Sequence, residues 1–150
     1  MTDKSLQLAA ILLTAIALVP AGAHLFAMAN KIELSRDAYF TVQAIYLGWW
    51  RLGLFLFAAL AVDAILVFRL RGDQPAFTFV IVAMCLIAAN LVTFFVWTFP
   101  ANQATSNWTE IPPNWDALRR QWEYSHAVNA AVTFLSLTSL TLATLAARRS

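Results

Sequence analysis

Four long apolar runs, separated by short polar segments, organise this chain. They extend from about Leu6 to Met28, Tyr46 to Phe68, Ala76 to Phe99 and Ala127 to Ala147. Crossing about 30 Å of hydrocarbon takes roughly 20 helical residues at about 1.5 Å each, so every run predicts a transmembrane helix. The connections are short, which makes helices adjacent in sequence antiparallel neighbours. The pattern predicts an all-α, integral-membrane four-helix bundle, built as one domain over residues 1–150. Small residues at Ala21-Gly22-Ala23 look like a signal-cleavage site, but the first run is longer than a cleaved signal segment and reads as a retained span. Ahead of span four, Pro112-Pro113-Asn114 ends the loop, Asn114 offers a helix N-cap, and Asp116 falls in the first turn. Helix four is therefore expected to begin near Trp115, about three turns before its apolar run.

Composition narrows the class. Hydrophobic residues make up 61% of the chain and charged ones 12%, with a mean hydropathy of +0.66. A soluble domain carries about 25% charged residues, so a disordered tail and an ordinary cytosolic enzyme are excluded. The net charge of +2 forms no basic stripe, which argues against a nucleic-acid partner and leaves the lipid bilayer as the expected one. A single cysteine, Cys85, allows no disulfide within the chain. Basic residues divide evenly: Lys4, Arg69, Arg71, Arg148 and Arg149 on one side, Lys31, Arg36, Arg51, Arg119 and Arg120 on the other. Arg69, Arg71, Arg148 and Arg149 abut span ends, where the positive-inside rule acts most strongly. The expected topology has both termini cytoplasmic, in a plasma or inner membrane. Arg69 to Pro75 is then a tight inner turn, and Asn30 to Tyr39 an outer loop with room for a short interfacial helix.

Depth counting locates the candidate chemistry. About 20 residues from the inner face, span one reaches His24, span three reaches Trp97, and span two, counted back from Phe68, reaches Trp49, Trp50 and Arg51. His126 lies at the same level of span four, with Glu123 one turn above. Both histidines of the protein thus share one depth, with Glu33 close in height. Glu123 and His126 form a Glu-x-x-His pair, whose spacing aims both side chains into one groove of a helical bundle. With His24 they would make a mononuclear metal set suited to copper, zinc or non-haem iron, or the two histidines could ligate a haem. Hydrogen bonding to headgroups and water is the alternative use of the same residues.

All six tryptophans (Trp49, Trp50, Trp97, Trp108, Trp115 and Trp122) fall on the outer half. Aromatic belts normally occupy both interfaces, so a one-sided cluster reads either as an external cap or as walls for a flat apolar ligand. Deeper in the spans, Asp63 is a candidate proton-relay group, or a partner for a basic residue at the inner face, and Asn90 an interhelical hydrogen-bonding residue. Phosphate-loop and nucleophile-elbow motifs are missing from the chain.

The layout of four spans, the Pro100-x-Asn102 element after span three, and Trp115-x-x-Leu118-Arg119-x-x-Trp122 leading into span four resemble the anthrone oxygenase-like family of small membrane proteins. That resemblance implies an oxidoreductase oxidising a flat aromatic anthrone to an anthraquinone with molecular oxygen, without an organic cofactor. Asn102, Trp115, Arg119 and Trp122 match the family pattern, and Glu123 and His126 continue the same segment. On this reading Trp50, Trp97, Asn102, Trp115 and Trp122 would bind the substrate. His24 or His126 would take its proton, Glu123 would assist, and Arg119 or Asn102 would stabilise the oxyanion. Two other functions fit the sequence: a haem- or metal-binding protein for electron transfer or ion handling, and a non-enzymatic membrane subunit, with a homo-oligomer open in each case.

Overall fold

A computed structural model of the protein describes residues 2–147. Its helices are α1 (Asp3–Lys31), α2 (Arg36–Gln43), α3 (Leu54–Arg69), α4 (Gln74–Thr93), α5 (Phe99–Ala104) and α6 (Trp115–Ala146). A 3-10 turn at Trp49–Gly53 extends α3, and a π turn at Phe94–Thr98 joins α4 to α5. Four continuous helical stretches, Asp3–Lys31, Trp49–Arg69, Gln74–Ala104 and Trp115–Ala146, are long and apolar enough to cross a membrane. Arg148 and Arg149, used in assigning orientation, lie outside the described residues.

The four long helices form an all-α bundle in which α1 packs on α3, α3 on α4, α4 on α6, and α6 back on α1. Asp3 and Arg69 pair at 2.9 Å and mark one end of the bundle, the Asp3 end; His24 lies towards the other, the His24 end. Small residues line the interior: Ala10, Ala17, Ala59, Ala76, Ala83 and Ala143 are each 5% exposed or less. In lipid the hydrophobic effect does not drive helices together, so close backbone approach at small side chains does the work. Interhelical hydrogen bonds supplement it. Asn90 Nδ2 donates to Thr133 Oγ1 at 2.8 Å, as its sequence position leads one to expect, while Ser136 and Ser139 donate to the carbonyls of Ala83 and Phe79. Large apolar side chains such as Val19, Phe26, Leu135 and Leu145 point outward, as lipid-facing positions require.

Two local features differ from the sequence expectation. Asn114 precedes α6 but makes no side-chain cap bond. Asp116 instead pairs with Arg119 and Arg120 one turn on. The short helix of the first polar connection is α2, which starts at Arg36 and runs past Tyr39 to Gln43.

Candidate functional site

The buried face of α1 repeats at helical spacing through Thr14, Ala17, Ala21, His24 and Lys31. On α6 the matching face carries Arg119, Trp122, Glu123, Ser125 and Asn129. Because α1 and α6 are in contact, these stripes bring His24 and His126 together, ring centroids 4.0 Å apart and planes inclined at 25°. Around the pair stand Tyr46, 4.3 Å from His24, Trp122, 4.9 Å from His24 and 4.2 Å from His126, and Trp49, 5.5 Å from His24. His24 is 5% exposed, and its Nδ1 is buried with no hydrogen-bond partner among the described residues.

Two turns further along α1, Lys31 is buried rather than snorkelled to the surface. Its ammonium lies 2.9 Å from Glu123 Oε1 and over the faces of Tyr46 and Trp122, at 4.6 and 4.8 Å. Tyr39 Oη donates to the same carboxylate oxygen at 2.9 Å. Lys31 and Glu123 are 4% and 1% exposed, so this is a desolvated ion pair that survives only because charge, hydrogen bond and ring faces act together. Burial, then the neighbouring Glu123 carboxylate, push the Tyr39 phenol well above the ordinary tyrosine range.

A polar frame fixes the aromatics. Asn102 Oδ1 accepts from Trp122 Nε1 at 2.8 Å and from Trp108 Nε1 at 3.1 Å, satisfying two indole donors with one side chain. Trp108 reaches its place through three consecutive left-handed residues, Ser106, Asn107 and Trp108, with φ of 46°, 56° and 65°. Each such non-glycine residue costs about 1–2 kcal/mol, offset by local bonds. Trp108 N donates to Thr105 Oγ1, and Asn107 N to Asn102 O. Arg119 donates to Leu34 O at 2.8 Å, pairs with Asp116, and lies 4.7 Å from the Trp115 ring and 5.5 Å from that of Tyr39. It clamps α6 onto the α1–α2 connection.

Several expected roles change accordingly. Trp50 is 71% exposed and lies beside Arg51, and Trp97 is 49% exposed, so neither walls the histidine pair. In a 3-10 turn successive side chains diverge by about 120°, which turns Trp49 towards His24 and Trp50 away. The π turn inserts an extra residue into α4's inward spacing, Val80, Ala83, Ile87 and Asn90, so that Thr98 is buried in place of Trp97. Thr98 then meets Ser125 at 2.7 Å. Asn102 Oδ1 is taken by two indoles, and Arg119 by a carbonyl and a carboxylate, so both position the elements around the histidines. Trp115 sits at the rim beside Phe40 and Arg119. Glu33 and Arg51 face outward.

The metal set is also rearranged. Glu123 is held by Lys31 and Tyr39, and among the described residues no group of three or more His, Cys, Asp or Glu side chains is placed to hold a metal ion. Two-sided haem ligation needs imidazole nitrogens opposed across a porphyrin plane, whereas these rings stack face to face. The residues the sequence did not single out are Lys31, Tyr39, Tyr46 and, as a ring lining the histidines, Trp49.

Just towards the Asp3 end from the histidines, α1 and α6 part to leave an apolar groove of about 300 Å³. It is lined by Leu18, Gly22, Leu25, Ala130, Ala131 and Phe134, with Phe26 at its edge. Comparison with protein-family models, with curated proteins and with solved structures finds no match for this chain.

Proposed function

We propose that the protein is a membrane-embedded oxidoreductase of the anthrone oxygenase type, acting on a small apolar aromatic molecule at the His24 end of its bundle. The observation that carries this reading is the stacked His24–His126 pair, with a buried, unpartnered Nδ1 on His24, set among Trp49, Tyr46 and Trp122. An imidazole nitrogen without a partner is free to take a proton from a substrate C–H. The Lys31 ammonium, held over Tyr46 and Trp122, and the Arg119 guanidinium, over Trp115 and Tyr39, are the cations beside these aromatics and the candidates for stabilising an oxyanion. The groove between α1 and α6 gives an apolar substrate a route from the lipid. By the positive-inside rule, the basic residues Lys4, Arg69 and Arg71 support a topology with both termini cytoplasmic.

The reaction balances with oxygen as the oxidant. A histidine removes a proton from the doubly activated methylene, and the resulting aryloxide-type anion gives electrons to O2. Overall the methylene loses two hydrogens and gains one oxygen atom to become a carbonyl, and the second oxygen atom leaves as water. The test is aerobic incubation of an anthrone with the protein in nanodiscs. Quinone formation matched by equal oxygen consumption supports the reading, and no acceleration over empty nanodiscs opposes it.

A further inference from the structure

The turn that joins α2 to α3 has two faces. Its inner face carries Tyr46 and Trp49, whose rings lie 4.3 and 5.5 Å from His24 and 5.0 Å from each other. Its outer face carries Ile45, Leu47 and Trp50, and Leu47, at 89%, is the most exposed large apolar side chain among the described residues. Gly48 makes the reversal between them: its φ of 85° lies in the left-handed region open to glycine.

Arg51 completes the outer face. A β-carbon at Gly48 would stand 3.1 Å from Arg51 Nη1, so the guanidinium lies back over the turn, and its Cζ is 5.4 Å from the centre of the Trp50 ring. At the His24 end Lys31, Arg36, Arg119 and Arg120 are each paired with a carboxylate. Arg51 is exposed and has no such partner among the described residues. Depth decides what it meets. Trp49–Arg69 is a continuous helical stretch of 21 residues, about 30 Å long and so about as long as the hydrocarbon is thick. With Arg69 at one boundary, the turn stands at the other, in the headgroup layer where tryptophan rings settle and lipid phosphates supply the anions.

We propose that the outer face of this turn binds one phospholipid, its phosphodiester on the Arg51 guanidinium and its glycerol and upper acyl chains against Ile45, Leu47 and Trp50. The planar guanidinium fork matches two phosphate oxygens, and the phosphate supplies the counter-charge that no protein carboxylate gives Arg51. A lipid seated there braces the same turn that holds Tyr46 and Trp49 against His24. The lipid site does not depend on the oxidation proposed above.

Phospholipid-free protein in a maltoside detergent, titrated with dioctanoylphosphatidylglycerol, tests the site through its unfolding temperature. In wild type the temperature rises with lipid by single-site mass action. Arg51→Gln, at an exposed position without an ion pair, should fold and need about 10–100-fold more lipid for the same rise, the scale of a hydrogen bond to a charged group. Dioctanoylglycerol, which lacks the phosphate, and inorganic phosphate, which lacks the chains, should leave the temperature unchanged in both proteins. The proposal is overturned by an equal lipid response in wild type and Arg51→Gln, by no response in wild type, or by a matching stabilisation from dioctanoylglycerol or inorganic phosphate.

Discussion

His24 of α1 and His126 of α6 stack face to face, with ring centroids 4.0 Å apart. The contact joins two of the longest helices and is walled by Trp122, which touches both rings. Removing either ring exposes the same faces, so the two losses are coupled. His24→Ala and His126→Ala should be non-additive in a double-mutant cycle of unfolding free energies, by about 0.5–3 kcal/mol. Strict additivity would mean that the rings are not in contact.

Lys31 and Glu123 are buried as a pair, and breaking one partner leaves the other uncompensated. Lys31→Met and Glu123→Gln should each destabilise the bundle by about 3–5 kcal/mol, with the double variant closer to wild type than the sum of the two. Denaturant unfolding in mixed micelles measures all four proteins. A surface ion pair would give about 0–1 kcal/mol.

Tyr39 fixes a pH dependence. Its folded phenol holds its proton above the ordinary tyrosine value, because of burial and the Glu123 carboxylate beside it. Its stabilising contribution is thus complete below about pH 10, where an unfolded tyrosine is still protonated. Above about pH 10 the unfolded chain loses that proton while the folded one keeps it, and stability falls by up to about 1.4 kcal/mol per pH unit. Tyr39→Phe should remove this slope from the alkaline limb of an unfolding-versus-pH curve. An unchanged slope would contradict the Tyr39–Glu123 bond.

The tryptophans divide into two classes. Trp122→Ala should cost about 3–5 kcal/mol, because its ring is buried against both histidines. Asn102→Ala leaves two buried indole N–H groups unpaired, at about 1–3 kcal/mol each, and should shift tryptophan emission. Trp50→Ala and Trp97→Ala should stay within about 0.5 kcal/mol of wild type. Thermal unfolding and fluorescence of the four variants test this division.

The sequence located the spans and brought His24, His126 and Glu123 to one end for a physical reason. A straight helix advances by a constant rise, so counting residues from the apolar boundaries measures depth. Depth does not fix which way a side chain faces where the backbone leaves α geometry: Trp97, within the π turn, and Trp50, within the 3-10 turn, lie at the counted level but are exposed. Lys31 was passed over because a lysine at the end of a span ordinarily snorkels to water, and nothing in its local sequence announces Tyr46 and Trp122 as a cage. Tyr39 lies on α2, a helix too short to be counted from a membrane boundary. Asp63 is visible in the sequence as an intramembrane carboxylate, but that it is fully buried without a hydrogen bond among the described residues is a property of three-dimensional packing.

Oxygen uptake by the protein in nanodiscs supplied with an anthrone tests the catalytic role of the histidine pair most directly, with wild type, His24→Ala, His126→Ala and Trp50→Ala compared at equal folded amounts. The account predicts uptake equal to quinone formed in wild type and in Trp50→Ala, and a loss of about 10²–10⁴-fold, the scale of general-base catalysis, in at least one histidine variant. Uptake that is the same in all four proteins, or no greater than in empty nanodiscs, would contradict it.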